Sequence, residues 1–483
     1  MQTITMLING EQCQARNGAT FERLNPLDGL VATRAPAATV EDAVAAVEAA
    51  AKAFPSWSAT GPSERRALLM KAAHALEAKA GEFATAITAE TGGSGIWAGF
   101  NVHLAAGTFL EAAAMTTQIS GEVIPSDVPG SLAMGIRQPA GVVLGMAPWN
   151  APVILGVRAI ATPLACGNTV VLKGSELCPK THGLIVEALI EAGFPRGVVN
   201  FVTNAPADAA AVVEAMIAHP AVRRVNFTGS THVGKIIAAS CAKHLKPVVL
   251  ELGGKAPLLV LDDADLDAAV SAAAFGAFAN SGQICMSTER IIVDSKIADD
   301  FVARLTTKAN SLPCGDPRKG PVVLGSVVDT ATVNRCNALI EDALAKGAKL
   351  VCGGKATNTL MAATLLDHAT PDMKIYREES FGPVKAIVRV NGDDEAVACA
   401  NDNEYGLSSA VFSLNTARAM NVAARIKSGI CHVNSSTVHD EPQMPFGGVK
   451  GSGLGRFGGK AGIAEFTDLR WVTVQTTPRH YPF

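Results

Sequence analysis

Apolar positions recur at helical spacing through the Ala-rich run from Val40 to Phe54, and Thr39 stands three residues ahead of Asp42. That combination predicts an amphipathic helix opened by a capping box. Pro62-Ser63 open a second predicted helix, which runs to about Glu90 and stops before Gly92-Gly93. A third starts near Ser94 and carries Trp97, Phe100, Asn101 and Leu104. Between Gly121 and Gln138 the helical period gives way to short runs broken by Pro and Gly, read as an extended, hairpin-like arm. The strand-like piece from Arg470 to Thr476 is expected to partner the arm of a neighbouring subunit.

From Gly141 the pattern alternates. Val142–Met146, Thr169–Leu172, Val198–Val202 and Val225–Phe227 are apolar runs of strand length. Helical stretches lie between and after them, at Pro152–Cys166, Pro179–Ala192, Ala207–Ala218 and Thr231–His244. The order predicts a parallel sheet covered on both faces. A second alternating block begins at Ala256-Pro257-Leu258-Leu259-Val260 and continues to about Asn434. Its strands are Arg290–Val293, Ala386–Val390 and Ser409–Phe412; its helices are Asp265–Phe278, Ile297–Asn310 and Ala331–Ala345. The fold class is therefore α/β, with two lobes and a cleft between them.

Composition narrows the function. A chain of 483 residues, 48% hydrophobic, exceeds what one compact core usually holds. The net charge of −3 leaves no basic excess for nucleic acid or an anionic membrane surface. Ten cysteines are scattered singly, without zinc-like spacing, so no metal is expected. No leader and no membrane-spanning run is visible, and the expectation is a cytoplasmic protein with reduced thiols.

Several short segments carry chemistry. Cys285, in Asn280-Ser281-Gly282-Gln283-Ile284-Cys285, offers a thiolate, a strong nucleophile toward carbonyls; most lone cysteines are buried and inert. Glu251 ends an apolar strand beside Gly253-Gly254, where α/β folds place ligands. A partly buried Glu there can act as a general base; the plainer alternative is a helix cap or surface carboxylate. Asn150, in Pro148-Trp149-Asn150, can donate to an oxyanion or simply fill a turn. Lys173 and Glu176 follow a strand and can both reach a ribose diol. Asn226-Phe227-Thr228-Gly229-Ser230 runs from a strand into a helix, where amides and Ser230 suit a pyrophosphate. Glu379 and Phe381 lie on one loop, able to hold a nicotinamide ribose or to be ordinary loop residues.

In order along the chain these segments are Pro148-Trp149-Asn150, Leu172-Lys173 with Glu176, and Phe227-Thr228-Gly229-Ser230. Then come Glu251-Leu252-Gly253-Gly254-Lys255, Gly282-Gln283-Ile284-Cys285, Glu379-Ser380-Phe381-Gly382-Pro383 and Pro445-Phe446-Gly447-Gly448 with Gly451-Ser452-Gly453. The set resembles the aldehyde dehydrogenase superfamily over essentially the whole chain. The resemblance implies two Rossmann-related lobes plus a β oligomerisation arm. Residues 1–120 and 141–250 would bind the dinucleotide, 251–440 would carry catalysis, and 121–140 with 465–483 would form the arm of a homodimer or homotetramer. It also implies Cys285 as nucleophile, Asn150 with the Cys285 amide as oxyanion hole, and Glu251 as the base for water. Trp149, Lys173, Glu176, Gly229, Ser230, Glu379 and Phe381 would hold the cofactor. Glu176, a carboxylate at the ribose, favours NAD over NADP. Glu251 sets the chain apart from the coenzyme-A-acylating branch.

The substrate reading rests on the helix after Asn150. Ala151, Ile154, Leu155 and Arg158 share one face, starting beside the oxyanion donor. A small near end and a cationic far end admit a flat ring, which Arg158 can stack on or bond. Trp97 is either a further wall or a packed helix residue, and Arg158 is otherwise an interlobe ion-pair partner. The stretches Ala151–Arg158 and Leu164–Asn168 look like the branch that oxidises salicylaldehyde, vanillin and other benzaldehydes. The alternatives are a semialdehyde dehydrogenase whose substrate carboxylate Arg158 would bind, a silent structural member of the fold, and a thioester or ester hydrolase. Phe457 stands where many relatives have Glu, and His439 and Glu441 precede the Pro445 segment without an assigned role.

Overall fold

The computed structural model describes residues 1–483. The first helix, Val40–Ser58, begins as the capping box requires: Thr39 Oγ1 accepts from the Asp42 amide at 3.2 Å and Asp42 accepts from the Thr39 amide at 2.9 Å. Ser94 caps the helix Gly95–Met115. The stretch expected as one helix from Pro62 to Glu90 is two, Pro62–Ala78 and Ala80–Thr91, with Lys79 off helical geometry between them. The break lets both pieces pack against Gly95–Met115.

The first large sheet has eight strands in the order Gly453–Leu454, Val248–Glu251, Val222–Thr228, Val142–Met146, Thr169–Lys173, Val199–Val202, Met6–Ile8 and Glu11–Cys13. The middle five run parallel. The edges run antiparallel, so the sheet is mixed and not purely parallel as expected. The edge strands come from chain segments outside the alternating block, which no βαβ crossover constrains to be parallel. From Val142–Met146 the chain adds strands on one side, then returns to the other with Val222–Thr228. That reversal makes a crevice at the carboxyl ends of the strands, where ligands bind in this architecture. Pro148–Asn150, Thr228–Ser230 and Glu251 all sit at that edge.

The expected helix Pro152–Cys166 is also two, Pro152–Arg158 and Ala161–Ala165. Pro163 is the reason: its ring cannot coexist with a helical Ala159 carbonyl four residues earlier. The Ala159 oxygen instead accepts from Asn226 Nδ2 at 3.0 Å.

The second sheet orders Lys349–Cys352, Thr364–Asp367, Val384–Val390, Thr288–Asp294, Ala256–Val260, Ser408–Phe412 and Ile430–Val433, parallel but for its first strand. A three-stranded arm joins Glu122–Ile124, Ser131–Pro139 and Thr467–Gln475. The last strand, expected to partner a neighbouring subunit's arm, is an edge strand of this sheet and pairs along one side within its own chain. Thr467–Gln475 pairs antiparallel with the chain's own Ser131–Pro139, from Thr467 opposite Pro139 to Gln475 opposite Ser131. Arg224 fixes this return by donating to the Glu465 carbonyl at 3.0 Å and pairing with Asp468. The arm leaves Val123, Leu469 and Trp471 exposed.

Candidate active site

The loop before Cys285 holds three consecutive residues in left-handed conformation, Asn280, Ser281 and Gly282, at φ of 48°, 56° and 72°. Such backbone persists only where surroundings over-determine it. Here Ser281 Oγ donates to the Gly325 carbonyl at 3.2 Å, and Gln283 Oε1 accepts from the Val328 amide at 2.9 Å. Asn280 Nδ2 reaches the Asn150 carbonyl at 2.9 Å. The loop presents a half-buried Cys285 thiol.

Glu251 is 1% exposed and neither carboxyl oxygen has a hydrogen-bond partner. Burial pushes its carboxyl up to about 7, with Cys285 and Arg158 only partly opposing it. Burial, and then the nearby Glu251 charge, also push the Cys285 thiol well above its usual value. Two groups that each resist ionisation thus lie near one another, and the thiol holds its proton more tightly than the Glu251 carboxyl does. Gly254 makes the approach possible. A Cβ there would stand 2.4 Å from the Cys285 carbonyl oxygen.

Asn150 Nδ2 donates one hydrogen to the Gln283 carbonyl at 3.0 Å. An amide nitrogen carries two, so the other is free for the cavities that Asn150 lines. Trp97 serves both roles weighed for it: its ring lines a cavity, and its Nε1 donates to the Asn150 carbonyl at 2.9 Å.

Cys285 and Asn150 line two different cavities at once. One is about 250 Å³ and mostly apolar. Ala151, Ile154, Leu155 and Arg158 all form its wall, facing Phe275 and Phe446. Pockets for drug-sized ligands run from about 300 Å³ upward, so this one suits a single ring. Arg158 is 7% exposed, pairs with Asp440, and lies with its guanidinium 4.3 Å from the Phe446 ring centre. Its charge is already neutralised. Phe457 is buried and exchanges backbone hydrogen bonds of 2.8 and 2.9 Å with Phe446, fixing the ring under Arg158. A Glu at 457 would be buried against Phe466. His439 stands half-exposed at the rim, 2.9 Å from Glu441, which does not line the cavity.

The other cavity is about 610 Å³, and most of its lining residues are polar or charged. Trp149, Gly229, Ser230, Glu251, Glu379 and Phe381 line it. Ser230 caps the helix Thr231–Lys243 and lines the cavity with Gly229, which sets the positive end of that helix at the cavity's edge. The Trp149 and Phe381 rings meet edge to face, 5.7 Å between centres. Glu379 accepts from the Gly254 amide at 2.9 Å, yet burial still pushes it up to about 8. Lys173 and Glu176 pair with each other at the end of their strand, and Asn204 Nδ2 donates to Glu176 at 2.9 Å. Burial opposes Glu176's charge, but Lys173 outweighs it and holds the carboxyl below its usual range. The cavity reaches Leu177; Lys173 and Glu176 stand outside its wall. A long polar cleft with a helix N-terminus, ribose-type acceptors and two rings near the nucleophile fits a dinucleotide.

One group was not legible beforehand. Glu289, 2% exposed, accepts from Lys255 Nζ at 2.7 Å, Lys385 Nζ at 2.6 Å, and the Ser380 amide and hydroxyl at 2.9 and 2.6 Å. Lys255 also donates to the Glu378 carbonyl at 2.6 Å. This cluster clamps the loop that carries Glu379 and Phe381. Asp440 was missed as well, although its neighbours His439 and Glu441 had been noted.

A cysteine between an apolar pocket and a cleft sized for a dinucleotide, on two α/β lobes, is an arrangement that suits a dehydrogenase. The chain belongs to the aldehyde dehydrogenase family, whose model matches residues 13–472. It is 62% identical over 482 residues to a vanillin dehydrogenase of Pseudomonas fluorescens, covering all of both chains. It superposes on a salicylaldehyde dehydrogenase from Pseudomonas putida G7, complexed with salicylaldehyde, with a TM-score of 0.98, 50% identity and full coverage of both. It also superposes on a betaine aldehyde dehydrogenase from Staphylococcus aureus in complex with NAD+, with a TM-score of 0.94, 31% identity, and coverage of 99% and 97%. The cofactor class is accordingly NAD(P), and the substrate an aldehyde. No helix is long and apolar enough to cross a membrane.

Proposed function

We propose that the protein oxidises aromatic aldehydes to carboxylic acids with NAD. The observation that carries this is the position of Cys285, shared by a single-ring apolar cavity and a polar dinucleotide-sized cleft. The full-length likeness to vanillin and salicylaldehyde dehydrogenases supports it.

The Cys285 thiolate, its proton released to solvent, adds through Sγ to the aldehyde carbon. Asn150 Nδ2 and the Cys285 amide stabilise the oxyanion; one such donor typically lowers the barrier by about 3–4 kcal/mol. Bound nicotinamide supplies the hydride acceptor. The thioester left on Cys285 is hydrolysed by water that Glu251 deprotonates. Ser230 and the first helical amides hold phosphate, Glu379 a ribose, and Trp149 and Phe381 the ring. Lys173 and Glu176 hold the adenosine ribose, where the carboxylate repels a 2′-phosphate. Residues 1–120 and 141–250 serve the cofactor, 251–440 catalysis, and the apolar arm assembly into a homodimer or homotetramer.

A semialdehyde with a carboxylate loses its anchor, because Asp440 already neutralises Arg158. The test is kcat/KM for benzaldehyde, salicylaldehyde, vanillin, succinic semialdehyde and acetaldehyde with each cofactor. Ring aldehydes with NAD are expected to lead. A ranking headed by succinic semialdehyde or acetaldehyde overturns the substrate reading, and faster reaction with NADP overturns the cofactor reading.

A further inference from the structure

The substrate cavity's wall contains a buried acceptor that neither the chemistry at Cys285 nor the ion pair uses up. Asp440 gives one carboxylate oxygen, Oδ2, to Arg158. Its other oxygen, Oδ1, is buried and has no hydrogen-bond partner. The side chain is 7% exposed and lines the cavity together with Cys285, Trp97, Phe275 and Phe446. A buried acceptor left without a donor is costly, more so when charged. The Arg158 guanidinium, held over Phe446, keeps Asp440 in place but leaves Oδ1 unserved.

We propose that Asp440 is a specificity-determining residue, whose Oδ1 accepts a hydrogen bond from a phenolic hydroxyl on the ring of the aldehyde. This rests on the aromatic-aldehyde reading and deepens it. The cavity is too apolar to solvate a charge, so the ligand group must be a neutral donor. A hydroxyl meets that requirement. A methoxy group offers only lone pairs, which Oδ1 repels, and a carboxylate or phenolate brings a like charge beside Asp440. The Arg158–Asp440 pair thus selects by the direction of the hydrogen bond and not by net charge. Asp440 acts on binding and orientation and takes no part in the covalent steps.

Hydroxy and methoxy substituents alter the reactivity of the carbonyl similarly and differ in whether they can donate. The test is therefore kcat/KM with NAD for 2-, 3- and 4-hydroxybenzaldehyde, each against its methoxy counterpart, at a pH where the phenol is protonated. At least one isomer is expected to exceed its methoxy partner by about 10- to 100-fold, the weight of one hydrogen bond to a charged group. That ratio falls as pH rises through the pKa of the phenol. The pH dependence of Glu251 cancels between partners. In the double variant Arg158→Met/Asp440→Leu, which replaces the pair with apolar groups of similar size, the ratio is expected to fall to about one, whatever the absolute rates. Ratios near one for all three isomers in the unaltered protein overturn the proposal, as does a ratio that survives in the double variant. Either result leaves the aromatic reading standing if benzaldehyde is oxidised well. Inactivity on every ring aldehyde overturns both.

Discussion

Glu251 and Glu289 are almost equally dry, at 1% and 2% exposure, yet they titrate in opposite directions. Burial pushes Glu251 up to about 7. Burial pushes Glu289 the same way, but the ammonium groups of Lys255 and Lys385 overcome it and hold the carboxyl at about 2. The difference lies in their partners: Glu289 has four donors and Glu251 has none. Desolvation alone makes a base poised near neutrality, whereas desolvation with full pairing makes a fixed strut. The two regions are joined by Lys255, four residues after Glu251, which spans from Glu289 to the loop of Glu379.

The comparison is sharpened first by Glu251→Gln. Removing a general base is expected to cut turnover by about 10²–10⁴-fold while the thermal midpoint barely moves. Glu289→Gln should do the reverse. It strands two buried ammonium groups and is expected to cost about 3–5 kcal/mol of stability by denaturant unfolding. A Glu289→Gln protein as stable as its parent would break the distinction. Ser380→Ala removes one hydrogen bond to the charged Glu289, for about 1.5–3 kcal/mol. It also frees the Glu379 loop, so KM for NAD should rise more than kcat falls. The smallest effect is in pH. Glu251 works as the anion in releasing the acyl group, so kcat is expected to rise with pH through about 7. Stability runs the other way for this group: its folded pKa lies above the unpaired value of 4.5, so its contribution is lost as pH rises toward 7. For Glu289 the stabilisation is present above 4.5 and lost as pH falls toward 2. Urea unfolding of Glu251→Gln and Glu289→Gln across this range separates the two.

The strands at the crevice were legible because buried parallel strands read as continuous apolar runs, and the motifs followed directly after them. Cys285 and Glu251 could be found because each sits beside a glycine-marked turn, and Asn150 because its Pro-Trp-Asn segment follows directly on a buried strand. The helix breaks at Lys79 and near Ala159 were not foreseen. At Ala159 the cause, Pro163, lay in plain view, and local periodicity outweighed it in the reading. Glu289, Lys385 and Asp440 carried no pattern at all. Each gains its role from side chains distant in sequence, and a Glu on a strand looks the same whether solvent or two lysines await it. Lys173 and Glu176 showed a limit of another kind: the sequence pairs them, but only the fold shows how far from the cavity wall they stand.

The central claim is that Cys285 carries the acyl group and Glu251 releases it. It is tested most directly by mixing Glu251→Gln with benzaldehyde and NAD in a stopped-flow instrument and weighing the protein afterwards. The expected result is a burst of NADH close to one per active site, almost no further turnover, and a benzoyl thioester on Cys285. No burst and no adduct, or turnover at the parent's rate, would contradict it.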